Sequence, residues 1–308
     1  MERYVIWGMG LLGTSLALDL KKKGAQIIGI EKSLEYIEIL KKYGFDNILH
    51  TDDPSLITEL GKCQGIIIGT PIDQVFPILE QIFSYNLPES IWITDMASTK
   101  GELMCKVNAY KKVHQHKVQF IGSHPMAGSD LSGPAHARGD LFVNATIYVT
   151  PVPWDSSQGS FSDYTLNENP VQSNVMEFWR KVGARPFEIS SQIHDKWAAY
   201  LSHGLHLVSC MVSYLLDDIS EVYNLESSPA GGSFRDITRV AGSNPKLWDG
   251  IINSNSSEVT LYLESLEKLI HEWKVLLSEK KLPVENIFMK SAQIRSAIIK
   301  NNSNPIEK

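Results

Sequence analysis

Gly8-Met9-Gly10-Leu11-Leu12-Gly13 decides the fold of the amino-terminal half. It follows an apolar run, Tyr4 to Trp7, that reads as a buried strand. It precedes Thr14-Ser15-Leu16-Ala17-Leu18-Asp19-Leu20, which reads as a helix. Strand, glycine turn and helix in that order form a dinucleotide-binding fingerprint. Gly8 permits the tight turn, Gly10 lets backbone approach a pyrophosphate with no Cβ in the way, and Gly13 lets the helix pack on the strand. The N–H groups at the helix start, on Leu11, Leu12 and Gly13, offer partial positive charge to phosphates. The competing reading is a plain glycine turn.

A second strand, Ala25 to Ile30, ends in Glu31, where the fingerprint places an acid. An acid there accepts hydrogen bonds from the adenosine ribose and repels a 2′-phosphate, which favours NAD over NADP. Lys32 and Ser33 follow directly and soften that preference. Read otherwise, Glu31 is a surface glutamate.

Outward from this unit, short apolar strands alternate with amphipathic helices. Strands are expected at Gly65–Gly69, Ile91–Thr94, Val118–Ile121 and Ala145–Val149, and helices at 34–42, 73–83 and 99–113. That alternation predicts an α/β, doubly wound (Rossmann-type) parallel sheet over residues 1–150. Ligands of such sheets bind beyond the carboxyl ends of the strands. Thr70-Pro71, Asp95–Lys100 and Ser123–Gly128 fall there, and Thr70 and Pro71 are expected to line the cofactor. Residues 151–173 are rich in Pro, Ser, Asn and Asp and read as a linker or long surface loop. Residues 174–308 read as an all-helical domain, with helices at 174–182, 191–217, 218–226, 257–280 and 285–300. Val259, Leu263, Leu266, Leu269, Ile270, Trp273, Leu276 and Leu277 form an unusually wide apolar stripe. A dimerising helix is the expectation, and a core helix of a single chain is the alternative.

The 308-residue chain is long enough for two domains. A net charge of −6 argues against a nucleic-acid or anionic-membrane partner, though not against an anionic small molecule. Cys63, Cys105 and Cys210 show neither metal nor disulfide spacing, which fits a reducing cytoplasm. The first strand starts at once, with no signal peptide, and no apolar stretch approaches the roughly 20 residues that span a bilayer.

The chemistry-bearing residues cluster in four segments. His124, in Ser123-His124-Pro125-Met126-Ala127-Gly128, leaves a strand at the ligand edge, and a histidine with an ordinary pKa near 6.5 suits proton abstraction. Ser98, in Asp95-Met96-Ala97-Ser98-Thr99-Lys100, supplies a hydroxyl or caps the helix that follows. Ser202-His203-Gly204-Leu205-His206 puts His203 and His206 three apart, on one helix face. Gly231-Gly232-Ser233-Phe234-Arg235-Asp236-Ile237-Thr238-Arg239 joins a glycine turn to two arginines one turn apart. Two histidines at such spacing also suit zinc, but no third ligand is near, so no metal is expected.

In this order the segments GMGLLGTS, DMASTK, SHPMAGSD, LSHGLH, GGSFRDITRVA and NPKLW resemble the prephenate/arogenate dehydrogenases of tyrosine biosynthesis, over nearly the whole chain. The resemblance implies NAD-dependent oxidative decarboxylation of prephenate, in a homodimer. By that resemblance, His124 and Ser98 meet the substrate's ring hydroxyl and Arg239 binds a substrate carboxylate. His203, His206 and Trp248 line the pocket, with Gly232 beside it. Asp130 stands where a glutamate is common, as an entrance acid. Gly204 departs from the usual SHLPH spacing, and the 151–173 loop looks long. Arg235 is read as structural, and His194 is given no role. The alternatives are arogenate as substrate, a 3-hydroxyacid-type dehydrogenase using Lys196, and an NAD-sensing module that leaves Ser98, His203 and Arg239 idle.

Overall fold

The computed structural model describes residues 1–114, 119–128, 131–150, 170–220 and 230–303. Two compact units emerge, Met1–Ser256 and Ser257–Lys308. The first is built on one eight-stranded sheet with strand order β3-β2-β1-β4-β5-β6-β7-β8. The strands are β1 (Arg3–Trp7), β2 (Gln26–Ile30), β3 (Ile48–Leu49), β4 (Gly65–Ile68), β5 (Trp92–Asp95), β6 (Gln119–Pro125), β7 (Thr146–Thr150) and β8 (Arg185–Glu188). The sheet is parallel from β3 to β6. Its helices are α1 (Leu11–Lys22), α2 (Leu34–Lys42), α3 (Leu56–Leu60), α4 (Ile72–Ser84), α5 (Gly101–His114) and α6 (Pro170–Lys181).

Successive β1 residues feed opposite faces, as the strand period requires. Tyr4 and Ile6 pack with Leu16, Ala17 and Leu20 of α1, whereas Val5 and Trp7 pack with Leu56, Val75, Leu79 and Ile82. Because both faces are covered, the strands are apolar throughout.

The strand order reverses between β1 and β4, which opens the crevice where such sheets bind ligands. The glycine turn sits there. Gly8 has φ +96°, and a Cβ on it would lie 2.7 Å from Cγ2 of Thr70. A Cβ on Gly13 would run into the carbonyl oxygen of Gly8. Gly10 faces open space.

The sheet departs from expectation at its far edge. β7 runs antiparallel to β6, because only a short 3₁₀ turn, Pro134–His136, is assigned among the described residues between them. A parallel return needs a crossover helix. β7 and β8 are parallel, and α6 supplies their crossover. Trp179 of α6 is fully buried and donates its indole N–H to Ser123 Oγ at 3.0 Å. Residues 174–188 therefore belong to the sheet rather than to the helical domain expected from 174. Residues 151–169, the core of the expected linker, lie outside the described residues, as does 221–226 of the expected helix.

Beyond β8, α7 (Ser191–Ala198), a π turn (Ala199–His203) and α8 (Gly204–Ser220) form one continuous helix. The 27 residues Ser191–Asp217 are long and apolar enough to cross a membrane, contrary to the reading that no stretch approaches that length. Fusion of two apolar runs makes the length. His194, Asp195 and His203 along it are buried and hydrogen-bonded within the protein. α9 (Gly232–Thr238), a 3₁₀ turn (Arg239–Gly242) and α10 (Pro245–Ser254) complete the unit.

α11 (Ser256–Ser278) carries the chain into the second unit, which also holds α12 (Val284–Ser303). Only Val259 is buried on α11. Leu269, Ile270, Trp273 and Leu277 stay exposed, so a core helix of a single chain does not describe the stripe.

Two glycine substitutions separate packing from ligand access. Gly13→Ala should lower stability by about 1–3 kcal/mol or more, because its new methyl meets backbone. Gly10→Ala should leave the melting temperature nearly unchanged and weaken dinucleotide binding. Thermal unfolding and a nucleotide titration of both variants check this.

Candidate active site

The dinucleotide crevice is built by backbone. Gly8 N–H bonds to Ile30 O at 2.8 Å and Gly69 N–H to Trp7 O at 2.7 Å, which joins the ends of β1, β2 and β4. Glu31 is buried at the end of β2. Its Oε2 accepts the Met9 N–H, and its Oε1 accepts those of Lys32 and Ser33, all at 2.9 Å. The carboxylate is thus fixed beside the glycine turn rather than lying free on the surface.

The residues fit a dinucleotide. α1 starts at Gly10 with no side chain capping its first N–H groups, and a Cβ on Gly10 would enter empty space. The buried Thr70 hydroxyl, on the loop between β4 and α4, has no hydrogen-bond partner among the described residues. Glycine backbone, the N–H groups of Leu11, Leu12 and Gly13, Thr70-Pro71 and Glu31 are the groups that would hold the ligand.

His124 lies on β6, 8% exposed. Its Nδ1 is 2.8 Å from Nε2 of His194, whose Nδ1 is 2.7 Å from Oδ1 of Asp195. Asp195 also accepts the N–H of Lys100 (2.8 Å) and of Gly101 (2.6 Å), and so caps α5 from another segment of the chain. Capping, the alternative role that the sequence offers Ser98, falls to Asp195, and Ser98 is half-buried. Lys100 is fully buried and paired with Asp95, whose other oxygen accepts the Ser123 N–H at 2.9 Å. Burial pushes the Lys100 ammonium below its ordinary pKa, against the pull of Asp95.

The helical segment packs against this edge of the sheet. Asn255, the C-cap of α10, donates to the Asp195 carbonyl at 2.8 Å and lies 3.1 Å from Nδ1 of His203. His203 therefore accepts at Nδ1 and carries its proton on Nε2. His206 stacks on Trp248 at 3.6 Å and donates Nδ1–H to the Ser202 carbonyl at 2.9 Å. Trp248 also meets His203 edge-on, at 6.0 Å between centroids. The π turn ends at His203, where Gly204 replaces the usual spacing, and such turns often mark functional sites.

Burial dominates the titration of all three histidines. It holds His124 well below the ordinary histidine range, helped by His194, Lys100 and His203. His203 is pushed down to about 4, mainly by burial and against the pull of Asp195. His206 is lowered by burial and by Arg239.

The structure thus gathers His124, His203, His206 and Trp248, with Arg239 close enough to act on His206. Arg239 is exposed, and no described residue forms an ion pair with it or with Arg235. Gly232 is exposed at the start of α9, with empty space around it. Asp130 lies outside the described residues. Lys196 is exposed, although its neighbour Asp195 is buried. Among the described residues no group of three His, Cys, Asp or Glu could hold a metal ion. Sequence reading missed His194 and Asp195. Their one local signal is a His-Asp pair at the fourth and fifth positions of a helix capped by Ser190.

The model of the prephenate dehydrogenase nucleotide-binding domain matches residues 16–186, and that of the prephenate dehydrogenase dimerization domain matches 190–291. The chain is 31% identical to a prephenate dehydrogenase of Bacillus subtilis (strain 168), over 93% of this chain and 72% of that one. It is 29% identical to a prephenate dehydrogenase of Lactococcus lactis subsp. cremoris (strain MG1363), over 97% and 78%. Its fold is similar to that of a prephenate dehydrogenase from A. aeolicus, solved with hydroxyphenyl propionate and NAD+. The TM-score is 0.79 and the identity 24%, over 97% of this chain and 98% of that one.

The lowered histidines make stability depend on pH. The folded protein keeps His124 and His203 neutral, while the unfolded chain takes up protons below about 6.5. Stability is full above that pH and falls as pH drops toward 4, by at most about 1.4 kcal/mol per pH unit for each group. Urea unfolding at pH 7, 6 and 5 should show the decline, and His203→Gln should make it shallower.

Proposed function

The chain belongs to the prephenate dehydrogenase family, and on that premise we propose that it oxidises and decarboxylates prephenate to 4-hydroxyphenylpyruvate with NAD. One observation carries the reading: a buried histidine, His124, held neutral at the ligand edge of the sheet by its surroundings. Neutral imidazole is the form that can accept a proton.

Bound in its oxidised form, the nicotinamide cofactor would supply the acceptor for the hydride on the hydroxyl-bearing ring carbon. Every other task falls to this chain. His124 takes the hydroxyl proton, and Ser98 binds the same oxygen. Loss of carbon dioxide leaves its electron pair in the ring, which becomes aromatic, and His124 returns the proton to the phenolate oxygen. Arg239 binds a carboxylate of the substrate through its planar fork. His203, His206 and Trp248 wall the pocket and exclude water. Glu31 favours NAD by repelling a 2′-phosphate.

The assembly is proposed to be a homodimer through the carboxy-terminal helices, whose apolar residues are left uncovered. Ile270, Leu277 and Phe288 are 55%, 62% and 72% exposed. The three cysteines are free thiols, which suits a cytoplasmic setting.

The test is an initial-rate assay of NADH or NADPH formation with prephenate and with arogenate. Prephenate with NAD should be the fastest pair, and faster turnover of arogenate would move the reading to arogenate dehydrogenase. His124→Asn should cut turnover by roughly 10²–10⁴ and spare nucleotide affinity. Wild-type kcat/KM should be flat through neutral pH and fall only well below pH 6.5, where His124 takes up its proton.

Arg239→Ala should weaken prephenate use by about 10- to 150-fold, the worth of a charge-assisted hydrogen bond, and spare NAD. Arg235, read from the sequence as structural, is exposed and has no ion pair among the described residues, so Arg235→Ala should leave stability and both affinities nearly unchanged. Titrations of NAD and prephenate on both variants distinguish the two arginines.

A further inference from the structure

We infer that His194 and Asp195 are positioning residues that set the tautomer of His124 and leave its Nε2 as the atom that takes the proton. The inference rests on the reading of His124 as the base. With His194 neutral, the chain of hydrogen bonds has one consistent direction. The Asp195 carboxylate only accepts, so His194 must present Nδ1–H to Oδ1 across 2.7 Å. Neutral His194 then has its lone pair on Nε2. That nitrogen lies 2.8 Å from Nδ1 of His124, which must supply the proton. With Nδ1 protonated, neutral His124 has its lone pair on Nε2. The reverse tautomer would point two lone pairs at each other or leave Nδ1 unpaired in a buried site.

The direction is anchored outside the histidines. Asp195 cannot turn its donors and acceptors around, because both its oxygens already accept backbone N–H groups, those of Lys100 and Gly101. The His194 ring is held in place by Tyr148, the β7 neighbour of His124, which meets it edge-on at 5.5 Å between centroids. The ionisable groups around His124 are His194 and Asp195 of α7, Asp95 at the end of β5, Lys100 just before α5, His203 of the π turn and Tyr148 of β7. Of these, His194 is the one hydrogen-bonded to Nδ1.

The direct test is the ¹⁵N spectrum of histidine-labelled free protein, with the His124 signals assigned by His124→Asn. Wild type should show protonated Nδ1 and unprotonated Nε2 at neutral pH. His194→Leu should lose that preference and lower kcat by roughly 10²-fold or more with little change in KM, as loss of an orienting partner does in a hydrolase triad. His194→Gln, whose amide oxygen can accept from Nδ1–H, should recover part of the tautomer preference and of the rate. Protonated Nε2 in wild type overturns the inference, and so does an unchanged His124 tautomer in His194→Leu. The spectrum needs no substrate. If the folded wild type does not oxidise prephenate, the functional reading fails while the tautomer assignment is still decided.

Discussion

The first two N–H groups at the start of α5, those of Lys100 and Gly101, find their acceptor 95 and 94 residues further along the chain, in Asp195. Free N–H groups at a helix start carry partial positive charge, so a carboxylate is a favourable partner there. This one does more than cap. It ties the helical segment to the ligand edge of the sheet, and its third hydrogen bond orders His194 and through it His124. Asn255, on the Asp195 carbonyl, extends the tie to α10 and to His203. The sheet edge around His124 and the helical segment that carries His203 are therefore held by one connected set of hydrogen bonds.

A second buried pair supports the same edge. Asp95 and Lys100 have no solvent exposure, and Asp95 also holds the backbone of Ser123, next to His124. A buried ion pair adds little net stability against an apolar pair, yet loss of one partner is costly. What it supplies is geometry, because β5, β6 and the start of α5 can meet in only one arrangement that satisfies every donor.

The parts legible in the sequence were those fixed locally. The glycine turn, the apolar strands and the acid after β2 each announce themselves within a few residues, and Gly8 and Glu31 lie where the pattern puts them. His124 was legible from the segment that follows its strand. The far edge of the sheet was not, because the antiparallel turn of β7 and the crossover role of α6 depend on which strands meet, and periodicity does not encode that. His194 and Asp195 were illegible for the same reason. A His-Asp pair at a helix start looks like ordinary capping until β6 and α5 are set against it. Of the two readings of Ser98, capping is the one the structure assigns elsewhere, to the Asp195 carboxylate.

The π turn has a geometric consequence for the helix that contains it. In a regular α-helix each residue advances the direction of its side chain by about 100°, so His194 and His203, nine positions apart, would point to opposite sides. One residue absorbed in the π turn brings them to within about 80° of each other. The helix is thus one residue out of phase with itself, and that slip lets a single rod present His194 to His124 and His203 to Asn255 and Trp248. Regular α-helical winding between Ala199 and His203 would keep every side chain and still aim one of the two histidines away from its present partners.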